Sequence, residues 1–127
     1  MNPPTNITLS KNKKLLTVSF ENNDFSMSSE YLRVYSPSAE VRGHGPGQET
    51  LQLNKQDVTI KTLVPMGNYA IAIHFSDEHT TGIYSWSYLH HLGADKEELW
   101  KDYCERVKKH NTKNSIDNQN YHEVSIK

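Results

Sequence analysis

The chain has 127 residues, enough for one domain and too few for two of ordinary size. Its 14 Lys and Arg against 15 Asp and Glu leave a formal charge of −1, which argues against a general nucleic-acid binder, since such proteins carry a basic excess on one face. One cysteine, Cys104, excludes an internal disulfide and a cysteine-based zinc site, and no apolar run approaches the roughly 20 residues of a membrane span.

In chain order, Ile7-Thr8-Leu9 and Leu15–Phe20 read as paired strands across a polar turn, with Leu16, Val18 and Phe20 on one face. Glu21–Asp24 turns the chain again and Phe25-Ser26-Met27 returns as a third short strand. Ser28 or Ser29 caps a short helix through Tyr31, Leu32 and Val34, and Pro37 stops it. Residues Ser36–Gln48 carry three glycines and two prolines and are expected as a loop.

The stretch Asp57–Ser85 alternates at the period of a strand. Val58, Ile60 and Thr62 alternate with Thr59, Lys61 and Leu63, Gly67-Asn68 turns the chain, and Tyr69, Ile71, Ile73 and Phe75 then point one way, with Ala70, Ala72 and His74 the other way. After the turn at Asp77-Glu78, His79–Tyr84 is expected as a third strand, and short turns favour antiparallel pairing of neighbours. Ser85 then caps a helix over Trp86–Leu92, with Gly93 as its stop. Asp95 with Glu98 opens a last helix, on which Leu99, Trp100, Tyr103, Cys104 and Val107 form an apolar stripe and Cys104 reads as a packed thiol. From Asn111 the chain is polar and Asn-rich. The expected organisation is therefore one domain over 1–110 and a disordered tail over 111–127. The fold class is α+β: antiparallel meanders with short peripheral helices and a C-terminal amphipathic helix.

Side chains able to do chemistry are scattered. The segment Arg42-Gly43-His44-Gly45-Pro46-Gly47-Gln48 lacks the Lys-Ser/Thr ending of a phosphate-binding loop, and no βαβ unit follows it. It does gather Arg42, His44 and Gln48, which can make directional polar contacts, so these three are the candidate partner-binding residues. His90 and His91 are adjacent and point about 100° apart on a helix, a poor arrangement for sharing an ion. No Gly-x-Ser-x-Gly elbow or His-Glu-x-x-His pair is present, so no catalytic residue is assigned.

Three segments carry a resemblance: Glu30-Tyr31-Leu32-Arg33-Val34-Tyr35-Ser36-Pro37-Ser38-Ala39-Glu40-Val41, then Val58-Thr59-Ile60, then Phe75–His79 running on through Gly82-Ile83-Tyr84-Ser85-Trp86-Ser87-Tyr88-Leu89. Over about residues 7–93 the chain resembles the gamma-butyrobetaine hydroxylase-like N-terminal domain family, including its small stand-alone bacterial members of unknown function. The resemblance implies a zinc site built from a Cys-x-Cys-x-x-Cys run and one later histidine. Those positions fall on Ser36, Ser38, Val41 and His79, so no thiolate remains and His79 is the remnant of the site. The oxygenase catalytic domain that follows in the hydroxylases has no counterpart in these residues. Similar domains fused to iron–sulfur carrier ATPases imply a role in contacts.

The expectation is a cytoplasmic, non-catalytic binding or adaptor module, associated with iron–sulfur or metal-dependent enzymes. Met1-Asn2-Pro3-Pro4 lacks the pattern of a signal peptide. Its partner is expected to be another protein, not nucleic acid or membrane. No cofactor is expected, and the oligomeric state stays open. The alternatives are a metal-binding protein retaining zinc or iron through His79 with His44 or Asp77, and an enzyme using the glycine-rich loop.

Overall fold

The computed structural model describes residues 1–43 and 49–126, with side chains described through Lys113. The described residues form two three-stranded antiparallel sheets and four helices, an α+β architecture. The first sheet is a meander of β1 (Asn6–Leu9), β2 (Leu15–Ser19) and β3 (Asp24–Ser28). Leu16 pairs with Leu9 and Met27, and Val18 with Ile7 and Phe25, so one face is apolar. Leu16, Val18 and Met27 are fully buried on it.

α1 (Ser29–Val34) follows β3 directly, because Ser28 leaves the strand in an extended conformation and its hydroxyl accepts from Tyr31 N. α2 (Ala39–Arg42) is a single turn of helix inside the segment expected as a loop. Ser38 at its start has the extended geometry of an N-cap, and Glu40 in its first turn suits the helix dipole.

The second sheet orders β4 (Ile60–Met66), β5 (Ala70–Phe75) and β6 (Gly82–Ser85). Ile60 pairs with Phe75 and both are fully buried. The pairing then shifts register between Ile60 and Thr62. That irregularity turns Thr62 out to solvent, away from the face of Val58 and Ile60 with which the simple alternation had grouped it. Ile71, Ile73 and Tyr84 complete the inner face, whereas Tyr69, grouped by alternation with Ile71 and Ile73, lies in the turn and is exposed. β6 starts at Gly82 rather than His79, because His79 belongs to the turn: Phe75 N donates to His79 O.

The two sheets are tied through β3, α1 and the approach to β4. Ser29 Oγ donates to Val58 O, and Ile60 N donates to Lys13 O. α3 (Trp86–Ala94) closes the core with Leu89 and Leu92, and Tyr31 OH donates to Leu92 O. Ser85 caps α3 as expected, accepting from Tyr88 N. Gly93, by contrast, is inside the helix rather than its stop. A Cβ there would lie 2.3 Å from Phe25 Cγ, so glycine allows α3 to approach β3 closely.

Through Lys96 these elements form one compact unit, and the helical remainder from Glu97 forms a second. α4 (Lys96–Ile126) runs past residue 110 into the segment expected as a tail. Nothing between Asp95 and Lys127 is glycine or proline, so the sequence holds no breaker to stop propagation. Within this helix the Trp100 and Tyr103 rings lie 5.1 Å apart, and Asp102 pairs with Arg106 at 3.1 Å. Leu99 and Trp100 are half-buried and Tyr103 is buried, but Cys104 is exposed, off the stripe on which it was expected to pack. No described helix is long and apolar enough to cross a membrane.

Candidate functional site

The turn after β5 and the segment between α1 and α2 meet at His79. α1 ends at Val34 with Tyr35 as its C-cap, Pro37 cannot continue it, and the chain bends so that Ser36 and Ser38 are both buried. Ser36 Oγ lies 2.8 Å and Ser38 Oγ 3.2 Å from His79 Nε2. Ser38 makes no cap bond to its own helix, because its hydroxyl is turned to the imidazole instead. On the other wall, Glu78 takes a left-handed conformation at φ 67°, and Asp77 Oδ1 accepts from His79 N at 3.3 Å. Gly82 lets these segments close: a Cβ there would sit 2.6 Å from Ser36 Oγ.

The other ring nitrogen faces a carboxylate, with His79 Nδ1 3.3 Å from Glu40 Oε2. A carboxylate only accepts, so the tautomer that suits Glu40 carries its proton on Nδ1, and in that tautomer Nε2 accepts from a serine hydroxyl. Burial lowers the His79 pKa, and the charges of Arg33 and Lys55 add to this, against the opposing pull of Glu40 and Asp77. Asp77 is balanced differently. Burial raises its pKa, but hydrogen bonds from Lys55 Nζ and Arg33 Nε, each 2.9 Å from Oδ2, outweigh that and hold the carboxyl below its usual range. Tyr84, fully buried, donates its hydroxyl to Leu32 O, and burial pushes its phenol pKa up. Arg33 is itself buried, with its Nη1 lacking a hydrogen-bond partner.

Serine, histidine and glutamate in this connectivity match the order of a nucleophile relay. Here both hydroxyls face one nitrogen, and Ser36 is 1 % and Ser38 5 % exposed, so neither hydroxyl is presented to solvent. As a zinc site the donor set does not fit: it offers two hydroxyls, one imidazole and the hydrocarbon of Val41, which is buried in α2. Among the described residues no three His, Cys, Asp or Glu side chains gather where an ion could sit.

The structure therefore brings together Ser36, Ser38 and His79, with Val41 one helical turn beyond Ser38. Asp77 turns its carboxylate to Arg33, Lys55 and the His79 backbone rather than to the imidazole. Arg42 is exposed, with its guanidinium carbon 5.0 Å from the centre of the Tyr88 ring. His44 and Gln48 lie outside the described residues. Sequence reasoning missed Arg33, Glu40, Gly82 and Tyr88. For Arg33 a signal existed, since it occupies the otherwise apolar run Tyr31–Val34 of a six-residue helix.

A family model described as gamma-butyrobetaine hydroxylase-like, N-terminal, matches residues 7–90. Two NMR solution structures are similar. One is 38% identical with a TM-score of 0.76, covering 87% of this chain and 88% of that one. The other is 40% identical with a TM-score of 0.74, covering 87% and 83%. A crystal structure from Acidithiobacillus ferrooxidans, of a protein with unknown function in the DUF971 family, is 32% identical with a TM-score of 0.60, covering 72% of this chain and 92% of that one. No curated protein matches. The matched segment contains both walls of the His79 cluster and most of the strands behind them, and on that match the chain belongs to the gamma-butyrobetaine hydroxylase-like N-terminal domain family.

Proposed function

We propose that the chain is a non-catalytic, cytoplasmic binding module that contacts another protein through the surface around Arg42. One observation carries this reading: Arg42 is solvent-exposed yet held in place. Its guanidinium rests over the Tyr88 ring of α3, and that ring is itself fixed by its hydroxyl, which donates to Tyr35 O at the end of α1. A charge held this way loses less freedom on binding than one on a free side chain, which favours it as an interface anchor. The family description supports the same reading, since it names a domain placed N-terminally in hydroxylase-like proteins, a setting in which a small domain supplies contacts. Iron–sulfur and metal-dependent enzymes are the partners to test first.

Affinity capture from the source cell, with wild-type and Arg42→Ala chains side by side, tests the proposal. Arg42→Ala is expected to reduce recovery of the main captured protein about tenfold, the result of losing roughly 1.4 kcal/mol of binding. Its melting temperature is expected to stay close to that of wild type, because Arg42 is exposed. Equal recovery by both chains would remove Arg42 from the contact surface.

A further inference from the structure

We infer that Ser36, Ser38 and His79 form a metal-independent clamp, in which hydrogen bonds to His79 Nε2 make the cross-link that a zinc ion would otherwise make at these positions. The donor set, which does not fit zinc, instead gives both ring nitrogens a polar neighbour. Nδ1 faces Glu40, and Nε2 lies within hydrogen-bond distance of two hydroxyls. A lone pair shared by two buried hydroxyls is not free for a metal, and serine is a poor zinc ligand. Ser36, Ser38 and His79 are all more than nine-tenths buried, so each of these bonds replaces one to water and leaving any partner unmade is costly.

The sequence separations give the cluster its purpose. Ser36 and Ser38 lie 43 and 41 positions from His79, so the bonds close a long segment of chain rather than a local turn. They join the α1–α2 segment to the β5–β6 turn. Further bonds brace the same two segments: Asp77 in the turn holds Arg33 of α1, and Thr81 Oγ1 donates to Glu40 Oε1 of α2. The clamp concerns how α2 is fixed, and it stands whether or not Arg42 meets a partner.

Two measurements test it together. Chain made without a histidine tag in zinc-supplemented medium is expected to hold far less than about one zinc per molecule, and its melting temperature is expected not to move with added zinc or with a chelator. Stoichiometric zinc that disappears in His79→Ala would overturn the inference. The second measurement is a double-mutant cycle between His79→Phe and the pair Ser36→Ala with Ser38→Ala. Each side alone is expected to lower the melting temperature by roughly 5–10 °C, and the combination by clearly less than the sum. Additive losses, or an unchanged melting temperature in the serine variant, would mean that these hydrogen bonds do not hold the two segments. If the double serine variant fails to fold, Ser38→Ala alone replaces it in the cycle, with the same two overturning outcomes.

Discussion

Burying His79 as a neutral imidazole makes part of the fold's stability depend on pH. Its pKa is lowered by burial and by Arg33, so the folded chain resists taking up the proton that the unfolded chain accepts near the ordinary value of about 6.5. Above that value neither state is protonated at this site and the full contribution is present. As the pH falls below it, the unfolded state gains a proton first and stability declines until the lower folded pKa is reached. A variant without the ionisation, His79→Gln, escapes this decline. The difference in unfolding free energy between wild type and His79→Gln is therefore expected to narrow as denaturant titrations move from about pH 7.5 to about pH 5. A constant difference would mean that the imidazole titrates alike in both states. None of this was legible from the sequence. Only the fold shows that His79 is buried and that Asp77, two positions before it, is paired with Arg33 and Lys55.

At the scale of elements, strand pairing and helix starts follow from local chemistry, and close contacts do not. Alternation of Ile71, Ile73 and Phe75 marked the inner face of β5, and Ser28 and Ser85 marked two helix starts through their side-chain acceptors. The α2 turn was hidden by flanking Gly and Pro, and the register shift after Ile60 leaves no trace in residue type. Gly93 is the instructive error. Its chemistry suits a helix terminus, but its neighbour 68 positions away decides its role, since the Phe25 ring fills the space a side chain would need. Gly93→Ala is accordingly expected to destabilise the chain by about 1–3 kcal/mol despite the better helix propensity of alanine. Adding Phe25→Leu is expected to recover part of the loss, as measured by chemical denaturation. A stabilised Gly93→Ala would show that the helix and strand can separate at no cost.

For the molecule as a whole, composition indicated one folded domain of mixed class and near-neutral charge, and it marked the C-terminal region as polar without indicating that α4 extends into it. A polar sequence cannot bury much apolar surface, yet it can still continue a helix when nothing breaks it. Those two properties call for different observables. Removing residues 111–127 is expected to reduce the helical signal in far-ultraviolet circular dichroism while shifting the melting temperature by no more than a few degrees, because the removed segment holds only Ile116, Tyr121, Val124 and Ile126 as large apolar residues. A loss of many degrees would show that those residues dock. The closeness of Gly82 to Ser36 reaches beyond this one chain. With 2.6 Å between the serine oxygen and any Cβ at position 82, a bulkier residue at 82 and a polar bridge from 36 cannot coexist. Position 82 is thus tied to position 36: in descendants of this sequence glycine at 82 is required for as long as the Ser36 hydroxyl keeps its present place.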